Sequence, residues 1–349
     1  MIKDRENALA GARCIIQNWL EAKESEVIHF ITDESHKKEA DIFELAAFEC
    51  GVVPKISILS LDGVQSGEVI DKMKNTMYYS DVIVGATHYS FVTTEAVEFA
   101  LKKGSRFLSF PMHTNDGSCI FEREFIRMSP KLAKKRGKPI AQKITDAKEV
   151  VVKTKKGTNV AFSAKNRSAG IFAGSCTRKG KVASSSFEVY VPIVETATKG
   201  RVIADGSLGY LGKISEPIEL IFEAGYLVEI NGGEDALRLK KYMESFGDKE
   251  IYCAAELGIG LNTKSKCEGI CYIEDESTYG TFHIGFGRNI ALGGRHEARG
   301  HFDIVTHSPD IFVDEVVIME NGEFIITALI VGVIIGAYAG GLAAAGLAA

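Results

Sequence analysis

KISILSL (55–61), EVIDKMKNTMYYS (68–80), DVIVGATH (81–88), TEAVEFALKKG (94–104) and RFLSFPM (106–112) decide the fold. Short β-branched runs alternate with helix-length amphipathic segments, and Gly104 supplies a helix stop. That alternation argues for a parallel sheet with helical crossovers. The same texture runs back to the N-terminus. DIFELAAFECG (41–51) reads as a helix closed by Gly51, VIHFIT (27–32) as a strand ending at Asp33, and residues 6–23 as a helix. No GxGxxG follows the first strand and no GxxxxGK[ST] occurs, so this α/β region carries no warrant for a bound nucleotide.

Beyond about residue 145 the texture changes. EVVVKTKKGTNVAFSA (149–164) reads as strand, turn at Lys156-Gly157, strand. SFEVYVPI, GRVIADG, IELIFEAG, YLVEING and GICYIED (269–275) read as further short strands, broken by one helix from about Glu234 to Phe246. The expected architecture is an N-terminal parallel α/β domain (1–145) and a mainly antiparallel, partly open β-barrel domain (146–323) that holds the chemistry. An uncharged apolar tail (324–349) follows.

The 349 residues are 46% hydrophobic and 25% charged, which excludes disordered and polytopic membrane classes. Net charge is −5, yet ten Lys/Arg and two Asp/Glu fall between Ser129 and Lys156. With Gly137 and Pro139 inside it, this cluster reads as a solvated linker. No aromatic platform accompanies it, so no nucleic-acid partner is expected. The seven cysteines form no CxxC pair and suggest reduced thiols in a cytoplasmic protein. The N-terminus shows no signal-type apolar run. The tail has 20 apolar residues of 26, with Gly332, Gly336 and Gly340 four apart. At about 1.5 Å per residue a helix of that length would cross a bilayer core, making it a candidate membrane anchor.

Four of the eight histidines lie between 283 and 307, the others being scattered at 29, 36, 88 and 113. His301-Phe-Asp303 places an imidazole and a carboxylate on one face of a strand, a pairing suited to a divalent metal. His283 precedes Gly285 and Gly287, which suit a pocket or a bulge equally. Glu188 in SFEVYVP and Glu256 in AELGIGLN are lone carboxylates among apolar residues. An inward-facing carboxylate requires a partner or a metal. Arg288, Asn289 and Arg295 are candidate substrate-binding groups.

Taken in order, SFEVYVP, AELGIGLN, HIGFG and HFD resemble the aminopeptidase T family of metallopeptidases, which includes aminopeptidase S and leucyl aminopeptidase relatives. The resemblance implies metal ligands Glu188, Glu256, His283, His301 and Asp303. It also implies two divalent ions (Zn, Co or Mn), a homodimer, and a hydrolase acting on small peptides, with Glu188 or Glu256 as catalytic carboxylate. One departure stands out: the family Tyr about seven residues after the first His is here Ile290, leaving Tyr279 as the nearest substitute. The pattern also resembles the ring-opening dihydroxypyridine dioxygenases of the same superfamily. These use one Fe(II) on two His and one carboxylate. Their second His and acid match His301 and Asp303, while their other His falls at Glu256, so an iron triad here would need His283, His301 and Asp303. A non-catalytic relative is the third reading.

Overall fold

The computed structural model describes residues 2–60 and 66–325. The strands of the first part are β1 (Val27–Asp33), β2 (Val53–Leu59), β3 (Val82–Gly85) and β4 (Arg106–Ser109). Their helices are α1 (Arg5–Cys14), α2 (Lys37–Glu49), α3 (Ser66–Lys72), α4 (Lys74–Met77) and α5 (Glu95–Lys102). The strands are all parallel, in the order β2-β1-β3-β4, with β8 (Val182–Ser184) added beside β4.

Side-chain alternation explains why both faces are covered. Ile28, Phe30, Val82, Val84 and Leu108 face the core shared with α1 and α2. Ile31, Ile83 and Phe107 face a second cluster with Ile70, Met77, Ala96, Val97 and Ala100. Helix ends follow local chemistry. Asp4 and Thr94 accept N-cap hydrogen bonds, and Gly51 (φ +73) and Gly104 (φ +100) take the left-handed conformation that ends the helices.

One ion pair within this part is buried. Arg106 on β4 bonds Glu26 through Nη1 (2.8 Å) and Nη2 (2.7 Å). That bidentate contact holds the Glu26 carboxyl below the usual carboxylate range. Glu26→Gln leaves the guanidinium inside without its anion. The expected loss is about 2 kcal/mol, below the range for fully buried pairs because water still reaches Glu26. A depressed carboxylate stabilises above its unfolded value. In urea melts, the wild-type advantage over the variant should therefore be full at neutral pH and vanish as pH falls through Glu26's lowered value.

The basic cluster expected to be a linker is instead helix α6 (Pro130–Ile144). Ser129 caps it, Pro130 occupies its first turn, and Ala133, Gly137, Ile140, Ala141 and Ile144 form a buried stripe under a lysine-rich outer face. Gly137 is there for closeness: a Cβ would lie 2.8 Å from Leu261 Cδ1.

The rest is β5 (Val150–Lys153), β6 (Asn159–Phe162), β7 (Gly170–Ala173), β9 (Phe187–Pro192), β10 (Lys199–Ala204), β11 (Ser207–Leu208), β12 (Ile218–Glu223) and β13 (Tyr226–Asn231), then α7 (Glu234–Ser245), β14 (Ala254–Gly260), α8 (Tyr272–Ser277) and β15 (Thr281–Gly287), ending with β16 (His301–His307), β17 (Asp310–Val313), β18 (Val316–Glu320) and β19 (Glu323–Phe324). They form two antiparallel sheets, ordered β13-β12-β10-β6-β5-β17-β18-β19 and β11-β16-β15-β14-β9-β7. The expected order, a parallel α/β part followed by a mainly antiparallel β part, is thus present.

GICYIED is not a strand. Its second half is helix α8, because Asp275 Oδ1 accepts from the Glu268 and Gly269 amides and curls the chain back on itself. Among the described residues no helix is long and apolar enough to cross a membrane. The tail read as an anchor lies, past Ile325, outside those residues.

Candidate metal centre

The six-stranded sheet has an apolar face and a polar one. Leu257, Ile259, Phe282, Ile284, Phe286, Phe302 and Ile304 point into the core. The alternate positions carry the acids and imidazoles. Pairing aligns Glu256 with Gly285 and Gly285 with Asp303, Gly258 with His283, Gly260 with Glu188, and Gly287 with His301.

Gly258 and Gly285 are gaps cut for neighbouring side chains, so of the two readings of Gly285, pocket and bulge, the pocket fits. A Cβ at Gly258 would lie 1.8 Å from His283 Nε2. One at Gly285 would lie 2.8 Å from His301 Cε1 and 2.9 Å from Asp303 Oδ1.

All five proposed ligands meet in this space as two groups sharing one member: Glu188–Glu256–His283 and Glu256–His301–Asp303. His283 Nε2 is 2.8 Å from Glu188 Oε2, and His301 Nε2 is 3.2 Å from Glu256 Oε2 and 3.5 Å from Asp303 Oδ1. Thus His301 and Asp303 group with Glu256 rather than with His283, the histidine an iron triad was expected to take.

Each group has a second partner that aims it. His301 Nδ1 donates to the Arg288 carbonyl (2.9 Å), which leaves Nε2 facing the carboxylates. The Ser186 hydroxyl donates to Glu188 Oε1 (2.7 Å), and the Tyr272 hydroxyl donates to Asp303 Oδ2. Glu188 Oε2, Asp303 Oδ1 and His283 Nδ1 remain buried with no hydrogen-bond partner.

Electrostatics points the same way. Glu188, Glu256, Glu276 and Asp303 are all buried, against two imidazoles. Burial, with Glu188 and Asp303 beside it, pushes Glu256 up to about 7. Burial and the other three carboxylates hold Glu276 well above the usual range. Burial opposes charge on His283, yet Glu188 outweighs it and raises the imidazole to about 9. Asp303 is likewise opposed by burial but drawn down to about 2 by His301. An excess of buried carboxylate with unpartnered oxygens is what a divalent cation neutralises. Donors spaced near 3 Å match adjacent ligands about 2.1 Å from one ion. The residues present therefore fit a divalent metal.

The expected substrate groups sit on the loop between β15 and β16. Asn289 is buried, its amide donating to Glu195 Oε1 (3.1 Å) and the Ala255 carbonyl (2.9 Å) and accepting from the His296 amide (2.9 Å). Arg288 pairs with Glu297 (3.2 Å), and the Arg295 amide donates to Glu195 (2.8 Å). Asn289→Ala should cost about 2 kcal/mol, since Glu195 and Ala255 lose a buried donor. Hydrogen exchange across 289–300 should accelerate more than elsewhere. Tyr279, the expected substitute for the missing tyrosine, is engaged elsewhere: its hydroxyl meets Glu323 (2.9 Å) and its ring meets Phe324 and Arg136.

The scattered histidines are not all scattered in space. His36, His88 and His113 gather just past the carboxyl ends of β1, β3 and β4, where open α/β sheets bind ligands. His113 Nδ1 is 2.7 Å from His88 Nε2, and Asp33 Oδ2 accepts the His88 amide. Burial lowers His88 and takes His36 to about 4, so both are neutral at pH 7. The Tyr210 ring touches Tyr89 and His113 on one side and stacks on Tyr272 (4.4 Å) on the other, linking this cluster to Asp303. The legible signal was position, each imidazole following a strand of the parallel sheet.

Comparisons with known proteins give the setting. A family model described as 2,5-dihydroxypyridine 5,6-dioxygenase (NicX) matches residues 20–326. A curated 2,5-dihydroxypyridine 5,6-dioxygenase from Pseudomonas putida is 27% identical over 143 residues, 38% of this chain and 41% of that protein. The match thus spans about two-fifths of that relative's length. The solved 2,5-dihydroxypyridine dioxygenase of Pseudomonas putida has a TM-score of 0.74 at 17% identity, covering 92% of this chain and 98% of its own. Wild-type AmpT from Thermus thermophilus has a TM-score of 0.61 at 13% identity, covering 92% and 99%.

The expectation of a metallo-aminopeptidase, and with it hydrolase and protease activity, is overturned by the family match; the peptidase likeness is one of fold at greater distance. Matched along most of its length, the chain belongs to the 2,5-dihydroxypyridine 5,6-dioxygenase (NicX) family.

Proposed function

We propose that this protein is an Fe(II)-dependent dioxygenase that opens the ring of a hydroxylated pyridine, with 2,5-dihydroxypyridine as the reference substrate. The observation that carries the reading is the Glu256–His301–Asp303 group within a chain of this family. One imidazole and two carboxylates suit a hard divalent ion with open positions. Bound Fe(II) supplies the redox chemistry toward O₂ that protein side chains lack.

The chain's own residues do the rest. Glu256 and Asp303 supply the negative charge that holds a dication, and His301 is aimed by the Arg288 carbonyl. The Glu188–His283 pair backs Glu256 from the neighbouring strands. Tyr89, exposed beside Tyr210, offers an aromatic face to a planar heterocycle. His88, lowered by burial and 2.7 Å from His113, is the base for a ring hydroxyl.

The test is metal loading without oxygen, followed by oxygen-electrode assay with 2,5-dihydroxypyridine. The reading expects about one Fe per chain and one O₂ consumed per substrate. Iron-loaded protein that consumes no oxygen with any dihydroxypyridine would sink it.

A further inference from the structure

Tyr272 opens helix α8 and donates its O–H to Asp303 Oδ2. Asp303 Oδ1 is left buried, unpartnered and turned toward His301 Nε2. The two oxygens of one carboxylate are thus distinguished by a single phenol.

Few side chains could do this. Asp303 is 3% exposed, so water cannot take the place of a lost donor at Oδ2. Among the described residues, the Tyr272 hydroxyl donates to Oδ2, and the Glu276 carboxyl lies against the same carboxylate.

The phenol is itself held rigidly. Its ring stacks on Tyr210 at 4.4 Å with planes 23° apart. Its helix is fastened on three sides. Asp275 accepts the amides of Glu268 and Gly269, Glu274 pairs with Arg123 and accepts the Lys266 amide, and Ser277 Oγ accepts the Phe187 amide from β9 (2.9 Å). Phe187 is the neighbour of Glu188, so one short helix braces both the strand bearing Glu188 and the carboxylate of Asp303. This is more anchoring than six residues of helix need for packing alone.

We propose that Tyr272 is a positioning residue for the metal centre: it holds Asp303 so that only Oδ1 is presented to the cation, keeping the carboxylate from chelating through both oxygens. The inference rests on the metal-site reading of Glu256, His301 and Asp303. Its consequence is an additional open position at the ion, which a reaction uniting a substrate and O₂ requires.

The test uses the full-length protein and Co(II), whose visible absorption reports coordination, in competition with a chelator. Tyr272→Phe keeps the ring and its stack on Tyr210 and removes only the hydroxyl. The expected result is a fall in Co(II) affinity of about 10–100-fold, with an altered Co(II) spectrum.

A phenol that serves packing alone would lower Tm and leave Co(II) affinity and spectrum at wild-type values; that result overturns the proposal. Asp303→Asn separates the two levels. If wild type binds Co(II) no better than Asp303→Asn, the site reading fails and the proposal falls with it. If wild type binds better and Tyr272→Phe equals wild type, only the proposal fails.

Discussion

Asp303→Asn should abolish the proposed dioxygenase activity while leaving the fold in place. The amide has nearly the shape of the carboxylate but not its charge. The variant therefore loses the negative charge beside His301 Nε2 (3.5 Å) and keeps a single carbonyl oxygen, which can serve Tyr272 or the cation but not both. Loss of a direct ligand exceeds the roughly 10–100-fold that second partners are worth. Metal affinity should fall at least 100-fold and kcat/KM by about 10³ or more, equivalent to roughly 4 kcal/mol of transition-state stabilisation. Circular dichroism should be unchanged. A variant that retains stoichiometric iron would show that Asp303 is not a ligand.

The second large effect is expected at a residue with no side chain. Gly258→Ala places a methyl where the imidazole of His283 now lies, 1.8 Å from Nε2. The strand cannot yield cheaply, because β14 is buried throughout and paired on both sides. His283 must leave, breaking its contact with Glu188 and exposing that carboxylate to an uncompensated interior. Overpacking costs about 1–3 kcal/mol and the stranded acid adds to it. Thermal unfolding should show a drop of several degrees, and iron content after anaerobic loading should fall. Wild-type Tm and iron would mean that His283 is not held against that glycine.

The parallel sheet was readable because its signal is local. In VIHFIT, DVIVGATH and RFLSFPM the buried positions are set by strand period, and the helices between them are long enough to cross over. Two segments read wrongly for identifiable reasons. Charge density in 130–144 masked an apolar stripe at helical spacing, and Pro139 with Gly137 suggested a break where the glycine instead permits close packing. In GICYIED the apolar run looked like a strand, but Asp275 capping the preceding amides sets a helix.

The five candidate residues followed from the resemblance of four strand motifs, and the fold brings their side chains together. Their grouping was not legible, since it depends on cross-strand register. The gathering of His36, His88 and His113 went unread because they are far apart in sequence, although each follows a strand of the parallel sheet. The activity itself was misjudged because the ligand pattern is shared across one fold, and a fold does not carry its chemistry.

The most direct test of the central claim is isotopic. Iron-loaded protein turned over with 2,5-dihydroxypyridine under ¹⁸O₂ in ordinary water should yield a ring-opened product carrying both labelled atoms before exchange. A product whose new oxygen comes from water would contradict it.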